Sequence, residues 1–147
     1  MNIDRNKSKL STVALILVLA ISATLATLST AAAQNQKQTV CYLGVMPNPV
    51  GVNQQVLLHV VITDPLSSVE QGWEGLSVTI TDPEGTQSTI EPIRTDSTGG
   101  TSVDFWPDKV GNYTLTAHFP TQTIEVAAFF FGDPYNMTYL ASDSPPV

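Results

Sequence analysis

From residue 34 onward, apolar residues recur at every second position in short runs, a spacing that predicts β-strands. In 55–63, Val56, Leu58, Val60 and Ile62 share one face, and the opposite face (Leu57, His59, Val61) is only partly polar. Leu76, Val78 and Ile80 alternate with Ser77, Thr79 and Thr81, and Tyr113, Leu115, Ala117 and Phe119 alternate with Thr114, Thr116 and His118. Weaker patterns predict strands at 39–46, at 87–93 and around Val103 and Phe105, and the apolar run 124–131 reads as a buried strand. Turn signals separate these runs. Pro47-Asn48-Pro49 stops the first, because proline cannot donate to a ladder. Asp82-Pro83-Glu84-Gly85 predicts a tight hairpin, and Asp96-Ser97-Thr98-Gly99-Gly100 and Pro107-Asp108-Lys109-Val110-Gly111-Asn112 predict further turns. No stretch after residue 33 holds a helical period, so the expected class is all-β.

The N-terminus has a different pattern. Arg5, Lys7 and Lys9 precede an apolar core from Val13 to about Leu28, and Ala31-Ala32-Ala33 follows. A positive head, an apolar core and small residues before a cut are the three zones of an export signal. Residues 1–33 are therefore expected to be a signal-peptide helix cleaved between Ala33 and Gln34. The alternative is a retained membrane anchor, since the core approaches the roughly 20 residues that span a bilayer. Residues 34–39 read as a flexible lead-in, and 40–147 as one β domain. Ser142-Asp143-Ser144-Pro145-Pro146-Val147 resembles a loop entering another strand, so a missing last strand, in a fragment or in the front of a longer surface protein, is expected.

Charge narrows the partners. The formal net charge is −7 over 147 residues. After residue 33 the basic residues are Lys37, Arg94 and Lys109 against twelve acidic ones, which gives −9. Nucleic acid is excluded as an expected partner, because neutralising phosphates needs clustered Lys and Arg. One cysteine, Cys41, allows no internal disulfide, and its apolar neighbours predict a buried, inert thiol.

Seven or so short strands in about 110 residues is the arithmetic of an immunoglobulin-like antiparallel β-sandwich. Asp108-Lys109-Val110-Gly111-Asn112-Tyr113-Thr114-Leu115 resembles the entry to the sixth strand of such domains, where Gly111 bends the chain and Tyr113 folds back on the corner. Pro47-Asn48-Pro49-Val50-Gly51-Val52-Asn53-Gln54 and Ser77-Val78-Thr79-Ile80-Thr81-Asp82-Pro83-Glu84-Gly85-Thr86 resemble pieces of Ig-like domains in secreted archaeal and bacterial surface proteins. Some of those domains precede a quinoprotein-like β-propeller. Leu115 stands where antibody-type domains carry their second cysteine, 55–63 has no cysteine, and Trp73 precedes the third strand, so the resemblance is to disulfide-free members. It implies a non-catalytic structural, adhesive or domain-presenting module at the cell surface, meeting neighbouring domains of its own or another surface protein. A carbohydrate- or ligand-binding module, or the accessory front end of a secreted enzyme or propeller, is the competing expectation.

Candidate chemistry is sparse. His59 and His118 lie opposite the two clearest core faces, so a two-sheet packing would turn them out on opposite sides, roughly 20 Å apart. That geometry forbids a shared zinc site or triad, and no catalytic, metal or cofactor residues are expected. Asp104 and Asp108 flank Trp106-Pro107, and Asp82 and Glu84 share a hairpin, but no calcium-loop spacing appears. Trp73, Trp106, Tyr135 and Tyr139 lie in or beside expected loops, and Trp73 and Trp106 are the candidates for stacking on cell-surface glycans. Phe129-Phe130-Phe131 reads as core plus interdomain surface. Asn112-Tyr113-Thr114 and Asn136-Met137-Thr138 fit the N-glycosylation acceptor rule in expected loops, which would make the chain a glycoprotein.

Overall fold

In the computed structural model, residues 35–126 and 133–147 are described. The expected signal segment with its Ala33/Gln34 cut, and the Phe129-Phe130-Phe131 run, lie outside them. Asn35–Val147 forms one compact unit. The described residues are all-β: β1 (Gln36–Gln38), β2 (Cys41–Met46), β3 (Val56–Ile62), β4 (Leu76–Thr81), β5 (Gln87–Ile93), β6 (Gly100–Phe105), β7 (Thr114–Phe119), β8 (Gln122–Val126), β9 (Tyr135–Leu140) and β10 (Ser142–Asp143).

Period-2 alternation became burial. Val56, Leu58, Val60 and Ile62 of β3, Leu76, Val78 and Ile80 of β4, and Leu115, Ala117 and Phe119 of β7 are all buried. They come from two sheets, ordered β2-β3-β6 and β10-β7-β4-β5, and meet in a single core. Two layers burying one face each is an arrangement compatible with a β-sandwich. Burying a Leu, Val or Ile side chain contributes roughly 1.5–3 kcal/mol, so these three strands carry much of the fold. The buried Cys41 spans the layers, its thiol 3.8 Å from the Ala117 carbonyl.

Several features depart from the sequence reading. A third sheet, β1-β9-β8, adds Tyr139, Ile124 and Met137 to the same core. In it the polar lead-in is a strand: β1 pairs with β9 in parallel, Lys37 opposite Tyr139. Its side chains are all exposed, so periodicity could not reveal it; backbone pairing and the Lys37–Asp64 ion pair hold it. Of the run expected at 124–131, the described part belongs to β8 (Gln122–Val126), which begins two residues earlier and alternates half-buried with exposed positions because one face meets the core. β9 places Asn136 on a strand opposite Glu125, where a loop was expected. At the C-terminus, β10 pairs with β7, and Val147 and Leu115 exchange backbone hydrogen bonds of 2.9 and 3.0 Å, so 142–147 lies along β7.

Candidate functional site: the loop end of the two layers

Where β2, β3, β6 and β7 end or begin, the loops 47–55 and 106–113 and the C-terminal Val147 enclose a groove of about 540 Å³. Val45, Val56, Phe105 and Leu115 line it from the strands, and Pro47, Pro49, Val50, Val52 and Val110 from the loops. An apolar concavity of a few hundred Å³ with few polar groups is the usual form of a binding site.

The loops are fixed by named bonds. The Asn53 N–H donates to the Pro107 carbonyl at 2.7 Å, tying one loop to the other. Asn53 sits at φ 58°, a conformation asparagine tolerates better than most residues. Tyr113 Oη accepts the Lys109 N–H at 2.9 Å and donates to Asp108 Oδ1 at 3.0 Å, while its ring packs edge-on against Phe105 at 5.5 Å. Gly111 has φ 145°, and a Cβ there would meet the Pro83 ring at 2.6 Å, so the loop lies directly on the β4–β5 turn. That turn is built by Asp82, whose Oδ1 accepts the N–H groups of Glu84 and Thr86.

One cation borders the groove. Lys109 Nζ donates to Asp82 Oδ2 and to Glu84 Oε2 at 2.7 Å. These two hydrogen-bonded carboxylates raise the Lys109 pKa, and the Lys109 bond holds Asp82 below its ordinary value. The lysine is therefore neutralised in place and is not a free anion receptor.

The other sequence candidates are scattered. Trp73 is a correction: it is fully buried, stacked edge-on against Phe119 at 5.3 Å and tilted over Tyr139 at 4.7 Å. Its indole N–H donates to the Asp64 carbonyl at 2.7 Å, and its backbone N–H to Thr95 Oγ1 at 2.9 Å. No ring face is left for a glycan. Tyr139 is likewise buried, and burial raises its phenol pKa. Trp106 is 53% exposed, directly after β6. Asn112 is exposed in the 106–113 loop, and Asn136 is exposed on β9.

The histidines lie on different sheets, each on the exposed face of its strand. His59 Nδ1 meets Ser102 Oγ at 3.1 Å across the β3–β6 ladder, and His118 Nδ1 meets Asp143 Oδ1 at 2.6 Å across β7–β10. Neither partner was legible in the sequence, since both pairs depend on register: His59 faces Ser102 and His118 faces Asp143. The nearby Ser144 hydroxyl is engaged with the Ala117 N–H and the Pro145 carbonyl. Burial pushes the Cys41 thiol up to about 11, with the Asp143 charge adding to it. Among the described residues no three His, Cys, Asp or Glu side chains gather as a metal-ligand set. Comparison with protein-family models, with curated proteins and with solved structures gives no match.

Proposed function

We propose that this chain is an exported immunoglobulin-like β-sandwich module with a non-catalytic adhesive or domain-presenting role at the cell surface, and that its loop-end groove receives a neighbouring domain. The observation that carries the reading is the groove itself. Its walls are mainly Val, Pro, Phe, Leu and Tyr side chains with Asn48 and Asn112 among them, and the lysine at its border is already matched by two carboxylates. Such a surface offers apolar contact area and rigid loops, the requirements of docking. The Ig-like assignment is supported by the Tyr113–Lys109 bond, since a tyrosine hydroxyl returning to backbone a few residues upstream is a recurrent corner of that fold. The export assignment rests on the three-zone pattern of 1–33.

A second reading, glycan binding, draws on the exposed Trp106 alone, now that Trp73 belongs to the core. N-glycosylation at Asn112 would place a sugar beside the groove, and at Asn136 away from the loops 47–55 and 106–113.

The test is photo-crosslinking in the producing organism, with a benzophenone side chain at Val110 or, as control, at Glu91 on β5. Protease sensitivity of the tagged chain on intact cells, with discrete adducts from Val110 and none from Glu91, is expected. A chain protected inside the cell, or no adduct at Val110, would overturn the reading.

A further inference from the structure

The solvent faces of the two larger sheets differ. On the four-stranded sheet the outward positions of β4 and the start of β7 are Ser77, Thr79, Thr81, Thr114 and Thr116. On β2-β3-β6 they include Tyr42, Met46 and Leu57, which are 52%, 73% and 43% exposed. Register sets two of them side by side: Met46 faces Leu57, and Leu57 faces Asp104, while Tyr42 faces Val61 beyond the Gly44–His59 pair. The alternation of β6 runs past its end, with Asp104, Trp106 and Asp108 exposed and Phe105 and Pro107 turned inward. One face therefore holds an outward Met46–Leu57 pair beside Asp104, with the exposed Trp106 two residues further along the chain. Adjacent exposed apolar side chains of this kind mark a candidate interaction site.

Charge selects the occupant. All three cations of 35–147 are committed within the chain, Lys37 to Asp64, Arg94 to Glu74, and Lys109 to Asp82 and Glu84. A second copy would bring a −9 surface against Asp104 and Asp108, so self-association is opposed. A cation is favoured twice over, by the carboxylates and by the indole face, which attracts guanidinium or ammonium groups. Met46 and Leu57 offer a sugar no hydrogen bond and suit aliphatic side chains.

We propose that the outer face of the β2-β3-β6 sheet docks a different protein through a segment that sets an aliphatic side chain on Met46 and Leu57 and an Arg or Lys at Asp104 and Trp106. This surface meets the loop-end groove only at the 106–113 loop, which carries Trp106; Met46, Leu57 and Asp104 lie on the strands.

The test is an NMR titration of the full chain with a synthetic peptide of alternating valine and arginine, its glutamate-for-arginine counterpart, and a cello-hexaose. Saturable shifts of the Trp106 indole N–H and the Met46 and Leu57 methyls are expected with the arginine peptide alone. Affinity should fall roughly three- to ten-fold in Trp106→Ala and in Asp104→Asn, and fall with added salt. Equal binding of both peptides, saturation by the hexaose instead, or a concentration-dependent dimer abolished by Leu57→Asp would each overturn the proposal. The Val110 crosslink reports separately on the groove.

Discussion

Lys109 Nζ lies 2.5 Å from Asp82 Oδ2, joining the loop that follows β6 to the turn between β4 and β5. Both residues sit in segments whose sequence predicts only turns. Their pairing is what holds one wall of the groove against the rest of the domain.

The first prediction concerns acid. The Lys109 bond lowers the Asp82 pKa below its ordinary 3.8 in the folded chain. A carboxylate with a lowered folded pKa stabilises above its ordinary value, and that contribution is lost as pH falls through the lowered one. Lys109, raised above 10.5, stabilises below that value and loses its contribution as pH rises through the raised one. Urea midpoints measured down through 3.8 should fall less steeply in Asp82→Asn than in the parent chain. Parallel curves would remove the clamp from the acid response.

Trp73→Phe separates packing from the indole bond. Losing the donor to the buried Asp64 carbonyl should cost about 1–3 kcal/mol. Trp73→Ala should cost about 3–5 kcal/mol, as a large core truncation does. Denaturant melts of both variants check the order. A neutral Trp73→Ala would contradict its place in the core.

Tyr113→Phe keeps the ring against Phe105 and removes the hydroxyl that joins Lys109 and Asp108. The expected loss is about 1 kcal/mol in an equilibrium melt, with backbone amide shifts in NMR confined to 106–113. Shifts elsewhere would mean the hydroxyl has other work.

Gly111→Ala and Gly85→Ala both place a Cβ at positive φ, 145° and 85°. At Gly85 the Cβ enters open space, and at Gly111 it strikes Pro83. Gly85→Ala should cost about 1 kcal/mol and Gly111→Ala clearly more. Melting temperatures in the reverse order would contradict the contact between loop and turn.

Strands that bury one face were legible, because alternation is itself the trace of that burial: β3, β4 and β7 appear in the sequence with their inward residues correctly assigned. Trp73 was not legible. It stands alone in a Ser- and Gly-rich loop, and its burial comes from Phe119, Tyr139 and Asp64, all distant along the chain or set by tertiary packing. β1 was missed because a strand held by backbone pairing with exposed side chains leaves no pattern, and β9 because its inward face is carried by Met137 and Tyr139 among polar neighbours. The groove draws on loops whose turn chemistry was readable, but their meeting through Asn53 and Pro107 was not. The outward Tyr42, Met46 and Leu57 blurred the alternation of β2 and β3, which is the trace the exposed apolar face left in the sequence.

The account stands on two sheets sharing one core and turning their polar chemistry outward on opposite sides. Nitroxide labels at His59→Cys and His118→Cys, in a Cys41→Ala background, measure that directly by pulsed electron resonance. Two layers about 10 Å apart, with labels on their outer faces, predict a separation of about 20 Å or more. A separation under about 10 Å would put the two positions on a common surface and contradict the packing.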